Sequence, residues 1–261
     1  MKHTRHVAAL MLSAVMLVGG LTACTPLPST TYTNESGTEV TVNWRDFPGP
    51  AGVDPNDILA APAKEDSEAV SAELLQEIKT ALSHEFGVAW KSRGEPGWYD
   101  PSGNGFGGKT MSSTYNSVSW SSDTAPAATA DWDRIVEIID GFTQAQGLGK
   151  VMLEHNRGYY RQPPSSDKDL LERFGTTDPR EAHVWFGTAY GASQWLSLEI
   201  HHAGRDPRGK AVAEYQELKQ AVTSISIDYG VTTLAREDVP AFKKALRPFT
   251  GLEQPESTTS D

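Results

Sequence analysis

Two apolar-rich segments joined by three small residues constrain the fold of this 261-residue chain most strongly. Residues 183–190 (HVWFGTAY) and 194–202 (QWLSLEIHH) have the aromatic and β-branched content of strands. Gly191, Ala192 and Ser193 lie between them, and a connection this short joins antiparallel neighbours. The sequence therefore predicts a β-hairpin, which argues against a Rossmann-type parallel sheet.

The register of this hairpin follows from its side-chain pattern. If Tyr190 lies opposite Trp195, one face of the hairpin is apolar throughout. That face carries Trp185, Gly187, Ala189, Leu196, Leu198 and Ile200. The opposite face carries Phe186, Tyr190 and Trp195 among polar neighbours. A slip of one residue would mix the two sets, so the pattern selects this pairing and predicts one core face and one more polar face.

The remaining elements are read from the periodicity of apolar residues. Apolar residues at helical spacing predict long helices over 67–86 and 130–146. Alternating patterns predict strands over 113–120, 150–156 and 224–234, with shorter helices near 210–220 and 237–248. This order predicts an α+β fold: an antiparallel sheet of about four to five strands with helices packed on one face.

The chain is expected to divide into four parts. Residues 1–23 are interpreted as a lipoprotein signal peptide, and residues 24–64 as a lipidated cysteine followed by a flexible tether rich in Pro, Thr, Ser and Gly. Residues 65–252 have the length and patterning of a single domain. The polar acidic segment 253–261 is expected to be a disordered tail.

The N-terminus has the features of an export signal. Lys2 and Arg5 precede an apolar run over residues 7–18, which is shorter than a membrane span. The segment LTAC at 21–24 resembles the bacterial lipoprotein box. In that family the cysteine, here Cys24, receives a diacylglyceryl group and becomes the new N-terminus. The alternative is that Cys24, the only cysteine in the chain, is an incidental thiol.

The charge balance argues against nucleic acid as a partner and gives the net charge of the chain after removal of the predicted signal peptide. A pI near 5.1 argues against nucleic-acid binding, which needs clustered Lys and Arg. Removal of residues 1–23 would take away Lys2 and Arg5 and no acid, so that the net charge falls from −11 to −13. Anionic headgroups repel such a body. We therefore expect the protein to be held at the extracytoplasmic face of the cell membrane by Cys24 alone.

Glycine-rich residues 103–108 match two ligand-binding patterns only superficially. They fit GxGxxG, but no strand precedes them and no helix follows, so dinucleotide binding is not expected. Asp100, Ser102 and Asn104 alternate like the start of a calcium loop, yet Met111 stands where the bidentate glutamate should be. We expect a connecting loop and no cofactor.

Neither a metal centre nor a catalytic motif is predicted. His183 lies opposite His202 in the predicted register, but the sequence gives this pair no third ligand. His155 is expected to pack at the margin of the core. Glu154 and Glu199 on strands could form an acid–base pair, although solvated strands often carry glutamate.

The candidate ligand-binding residues are therefore the aromatic side chains Phe186, Tyr190 and Trp195. On an exposed face they could stack on sugars or hold a protein partner. The alternative is that the two long helices cover this face and bury them.

The whole layout resembles the LppA-like lipoproteins of actinobacteria. The features that carry this resemblance are the LTAC box, the polar tether, a first helix ending near Trp90, the glycine-rich turn and the helix–strand–hairpin–strand order over residues 67–234. The paired cysteines of some members are missing here. The resemblance implies a location and a fold but no activity. We therefore expect a lipid-anchored, non-catalytic interaction or envelope-associated module, or alternatively a binder of a small molecule or glycan.

Overall fold

The structure is a computed structural model that describes residues 28–33, 36–100, 103–154 and 166–258. The helices are α1 (Pro55–Ala60), α2 (Lys64–Phe86), α3 (Thr129–Ala145), α4 (Asp167–Phe174), α5 (Ala211–Glu217) and α6 (Val239–Leu246). The strands are β1 (Ser29–Thr33), β2 (Glu39–Asn43), β3 (Lys91–Arg93), β4 (Gly97–Tyr99), β5 (Ser113–Asn116), β6 (Ser119–Ser122), β7 (Met152–Leu153), β8 (Val184–Gly191), β9 (Gln194–His202) and β10 (Thr223–Thr233).

Strand β10 is the centre of the main sheet. One of its edges pairs with β9, which continues through β8 to β7. Its other edge pairs with β6 along one half and β5 along the other, and these lead to β3 and β4. The single strand predicted over 113–120 is thus two strands. It breaks at Ser117, whose hydroxyl accepts a hydrogen bond from the Tyr229 backbone N–H.

The predicted hairpin register is confirmed. Tyr190 pairs with Trp195 and Trp185 pairs with Ile200, both antiparallel. The turn residues Ala192 and Ser193 have φ angles of 46° and 54°. Two successive positive φ angles give the turn a twist that matches the flanking strands. The apolar face is buried as expected, with Leu196 and Ile200 both at 0% exposure.

The two long helices pack on this apolar face. Both lie close to their predicted positions, and α2 ends as expected at Gly87 in the left-handed conformation. Trp132 of α3 contacts Trp185 edge-on, with ring centroids 5.1 Å apart. Leu74 and Ile78 of α2 join the same core. The predicted α+β class is therefore confirmed.

The sheet is larger than predicted, with eight strands among the described residues rather than four to five. The additional strands β3 and β4 have three residues each, which is too short for a recognisable alternation of apolar residues. Strand β3 has the polar sequence KSR and is exposed throughout, whereas Trp98 of β4 packs against the core.

The tether predicted over 24–64 is wrong for its described residues. Strands β1 and β2 form a hairpin, and Trp44 and Phe47 are almost fully buried against Phe106 and Phe249. We call Trp44, Phe47, Phe106 and Phe249 the terminal cluster, since it joins the two ends of the described chain. Aromatic residues separated by 200 positions bury each other here, which local composition could not indicate.

The tail predicted over 253–261 is also wrong where the structure describes it. The Gln254 side chain accepts a hydrogen bond from Gly52 N–H and donates one to the Val53 carbonyl. Thr258 N–H donates to the Gly105 carbonyl. The predicted signal peptide and Cys24 lie outside the described residues.

Candidate functional site

The face of the sheet opposite the long helices is the candidate site, and we call it the open face. Its central part is a grid of residues from β8, β9 and β10. In strand order the rows are Phe186–Glu199–Ser226, Thr188–Ser197–Asp228 and Tyr190–Trp195–Gly230. The alternative in which the two long helices cover Phe186, Tyr190 and Trp195 is therefore wrong. The helices bury the apolar set instead, because that set offers more area to remove from water.

The Trp195 ring lies against Gly230 of the neighbouring strand β10. A Cβ atom placed on Gly230 would come within 2.1 Å of the Trp195 ring, so only glycine permits this contact. The Trp195 side chain is half-buried, which leaves part of it accessible. A partly exposed aromatic ring can stack on the apolar side of a sugar ring or on another flat group.

A polar cleft of about 350 Å³ occupies the adjoining part of the open face. Among the described residues that line it, Glu154, Glu199 and Asp228 carry carboxylates and Arg93 carries the positive charge. Phe186 forms an apolar patch between Glu154 and Glu199. Ligand groups that donate hydrogen bonds or carry positive charge fit this lining best.

Asp228 is the most perturbed carboxyl in the cleft. Burial raises its pKa, a hydrogen bond from Ser197 lowers it, and the Glu199 charge raises it further. Asp228 and Glu199 are diagonal neighbours on adjacent strands, about 7–8 Å apart between their Cα atoms. The net effect is a carboxyl that keeps its proton above the usual range of an aspartate and can then donate a hydrogen bond.

Replacing Asp228 by asparagine is expected to stabilise the protein at neutral pH. Because its pKa is raised, the folded chain holds a proton that the unfolded chain has already released, so stability falls as the pH rises above the ordinary aspartate value. Asp228→Asn removes this loss. Its melting temperature should exceed that of the wild type by a few degrees at pH 7, and the difference should vanish towards pH 3.

Thermal unfolding followed by circular dichroism between pH 3 and pH 8 measures this difference. The matched control is Glu77→Gln on the exposed side of α2, which should show no such trend. A variant less stable than the wild type at pH 7 would show that the Asp228 carboxylate is well solvated or well paired.

A second, larger cleft of about 1290 Å³ lies where the hairpin turn meets the terminal cluster. Tyr190 and Met152 line it from the sheet, and Phe249 and Leu252 line it from the C-terminal segment. Met152 is 46% exposed, which is high for a large apolar side chain. Of the three candidate aromatic residues, Phe186 thus lines the polar cleft and Tyr190 the larger one, while Trp195 lies on the same face beside Tyr190.

His183 and His202 are opposite each other as predicted, and the Nδ1 atom of each is buried without a hydrogen-bond partner. In the described part of the chain no group of three His, Cys, Asp or Glu residues could hold a metal ion. His155 lies outside the described residues.

The Asn104 side chain joins the glycine-rich loop to the segment 44–47. The Asn104 side chain donates to the carbonyls of Trp44, Arg45 and Phe47, and it accepts from the N–H groups of Phe106 and Gly108. No atom of this amide is left for calcium or phosphate. The Asp100 carboxylate accepts a hydrogen bond from the Ser113 hydroxyl, and Ser102 lies outside the described residues.

Asp228 is not among the site residues predicted from the sequence, although the polar pattern of β10 indicates its position. In β10 the polar residues Ser224, Ser226 and Asp228 alternate with buried Ile225 and Ile227. An aspartate in this polar set must lie on the face away from the core. It therefore lies on the face of Trp195, because the hairpin register fixes that face as well.

Comparison with family models, with curated proteins and with solved structures finds no match. Within the described ranges, no helix has the length and apolar character required to cross a membrane.

Proposed function

We propose that this protein is a lipid-anchored, non-catalytic module of the cell envelope that binds a glycan on the open face of its sheet. The observation that carries the proposal is the half-buried Trp195 ring against Gly230, on the same face of the sheet as a carboxylate-lined cleft. The two features are complementary, since a sugar ring has an apolar side that stacks on an indole and hydroxyl groups that donate to carboxylates.

The charge of the cleft selects among sugars. Even when Asp228 holds its proton, the carboxylates of Glu154 and Glu199 outnumber the single guanidinium of Arg93. A uronic acid would therefore be repelled, whereas an amine-bearing sugar would be attracted. Glucosamine oligomers are therefore the natural probe. We expect them to bind at least ten-fold more tightly than galacturonate oligomers of the same length at low ionic strength, with N-acetylglucosamine oligomers between the two.

This selectivity is measurable by calorimetric titration of the purified full-length protein with each oligomer. Equal affinity for glucosamine and galacturonate oligomers would contradict the proposed site. The same mixtures, analysed by mass spectrometry after long incubation, separate binding from hydrolysis. Intact oligomers agree with a binding module, whereas shorter products that disappear in Asp228→Asn would make Asp228 and Glu199 an acid–base pair.

The proposed anchor at Cys24 places the body close to the membrane. Pro28 is already part of the described structure, because its carbonyl accepts a hydrogen bond from Trp44 N–H. Four residues can extend over no more than about 14 Å, so the body follows its anchor directly rather than on a tether of 40 residues. Two acyl chains on one cysteine would hold it stably.

Replacing Cys24 by alanine is expected to move the protein from the membrane fraction to the medium. Without a thiol no diacylglyceryl group can be attached, and the acidic body has no other attraction to anionic lipid. Immunoblots of the two fractions measure the redistribution, with Thr25→Ala as the neighbouring control. A Cys24→Ala protein that stays with the membrane would contradict the proposed anchor.

A further inference from the structure

The two clefts adjoin each other on the open face. Along β8, Phe186 and Thr188 line the polar cleft, and Tyr190, the next residue on that face, lines the larger one. Along β7, Glu154 lines the polar cleft and Met152 the larger one. Residues two apart on a strand are about 7 Å apart, so the described linings of the two clefts are neighbours along both strands.

The length of the combined surface sets the size of its ligand. Phe186 and Tyr190 are four residues apart, about 13 Å along the strand, and the larger cleft continues beyond Tyr190 to Leu252. A single sugar ring cannot contact both ends. The surface fits a linear chain that enters at the polar cleft and follows β8 towards the terminal cluster.

The lining of the larger cleft is compatible with the same ligand. Met152 and Leu252 offer apolar surface to sugar rings. The charged residues among its described lining are Asp54, Glu253 and Glu256, all acidic. The net charge of both linings is therefore negative, although Arg93 adds one positive charge to the polar cleft. A chain that carries repeated amines is attracted to both clefts.

We propose that the ligand is an extended amino-sugar chain that occupies both clefts, with further units bound between Met152 and Leu252. This rests on the proposed function, because the polar cleft must first bind a glycan. The larger cleft then acts as an extension subsite that distinguishes polymers from short fragments. Each sugar unit that reaches the larger cleft adds contact area. The loss of translational and rotational freedom on binding is incurred only once for the whole chain.

The test is a length series of glucosamine oligomers titrated into the purified full-length protein. We expect the hexamer to bind at least ten-fold more tightly than the dimer. In Met152→Arg this gain should fall to three-fold or less while dimer affinity is unchanged, because the new cation repels the chain and occupies its path. Met152 is exposed, so this variant should keep its fold.

The matched control is Leu218→Arg, which introduces the same charge at an exposed leucine outside both clefts and should keep the full gain. If the dimer and the hexamer bind equally, the extension subsite is wrong while the proposed function stands. If Met152→Arg still binds the hexamer at least ten-fold more tightly than the dimer, the extension subsite is also wrong, since the sugar chain then follows another path. If no oligomer binds, the proposed function itself fails.

Discussion

Replacing Asn104 by alanine is expected to destabilise the protein by about 4 kcal/mol, the largest effect of any single polar substitution proposed for this chain. The Asn104 side chain is fully buried. Its removal leaves the N–H groups of Phe106 and Gly108 and the carbonyls of Arg45 and Phe47 without this partner, while the Trp44 carbonyl keeps a hydrogen bond from Phe47 N–H. Each buried group that loses its hydrogen bond costs about 1–3 kcal/mol, although neighbouring groups relax together.

Chemical unfolding in urea, monitored by tryptophan fluorescence, measures this loss. Trp44 lies in the terminal cluster that Asn104 supports, so its emission should also shift towards that of a solvated indole. The control is Asn56→Ala, because the Asn56 side chain bonds only the exposed carboxylate of Asp54. Equal stability of the Asn104→Ala and wild-type proteins would mean that the N-terminal segment is not docked on the glycine-rich loop.

Replacing Trp195 by alanine is expected to weaken glucosamine-hexamer binding by about 30-fold or more, equivalent to about 2 kcal/mol, the loss typical of a central aromatic contact. The indole provides the stacking surface, and alanine in its place leaves the Gly230 backbone open to water. The variant should remain folded, because Trp195 lies outside the core of the sheet and helices.

Two further variants separate stacking from general loss of aromatic surface. Gly230→Val should reduce binding in a similar way, because its side chain would take the place of the Trp195 ring. Tyr99→Ala removes an aromatic ring that is 56% exposed and lies on β4, outside the grid of β8, β9 and β10, and it should bind like the wild type. If Trp195→Ala binds like the wild type while Tyr99→Ala does not, the site has been placed on the wrong surface.

The main sheet and its helices could be predicted because their signals are local. The hairpin turn is short, and the apolar residues of β8 and β9 alternate cleanly, so the register of Tyr190 and Trp195 follows from the sequence. The four-residue spacing of Leu74 and Ile78 indicates a helix with one apolar stripe. Both patterns are produced by burial against a single surface.

The terminal cluster could not be predicted in this way. Trp44 and Phe249 are isolated aromatic residues within polar, proline-containing segments, and their contact joins positions 205 residues apart. Composition predicts a flexible tether for the segment that contains Trp44, and the domain predicted over 65–252 indicates no partner for Phe249. Their mutual burial, together with the hydrogen bonds of Asn104, supplies the missing core.

The candidate site could be predicted in part. Phe186, Tyr190 and Trp195 share a face as the register requires, but the sequence could not show which face the long helices cover. That choice depends on the summed apolar area of both faces in three dimensions. The clefts depend on Asp228 and Leu252, which approach the hairpin only through the sheet order and the terminal cluster.

The most direct test of the open face as a ligand site is a titration of the ¹⁵N-labelled protein with glucosamine hexamer, followed through its tryptophan indole signals. The chain has seven tryptophans, each of which reports on its own surroundings. We expect the signal of Trp195 to shift progressively and saturate, while that of Trp132, a buried residue of α3 on the other side of the sheet, stays unchanged. A Trp195 signal that does not move at saturating hexamer would contradict the proposed site.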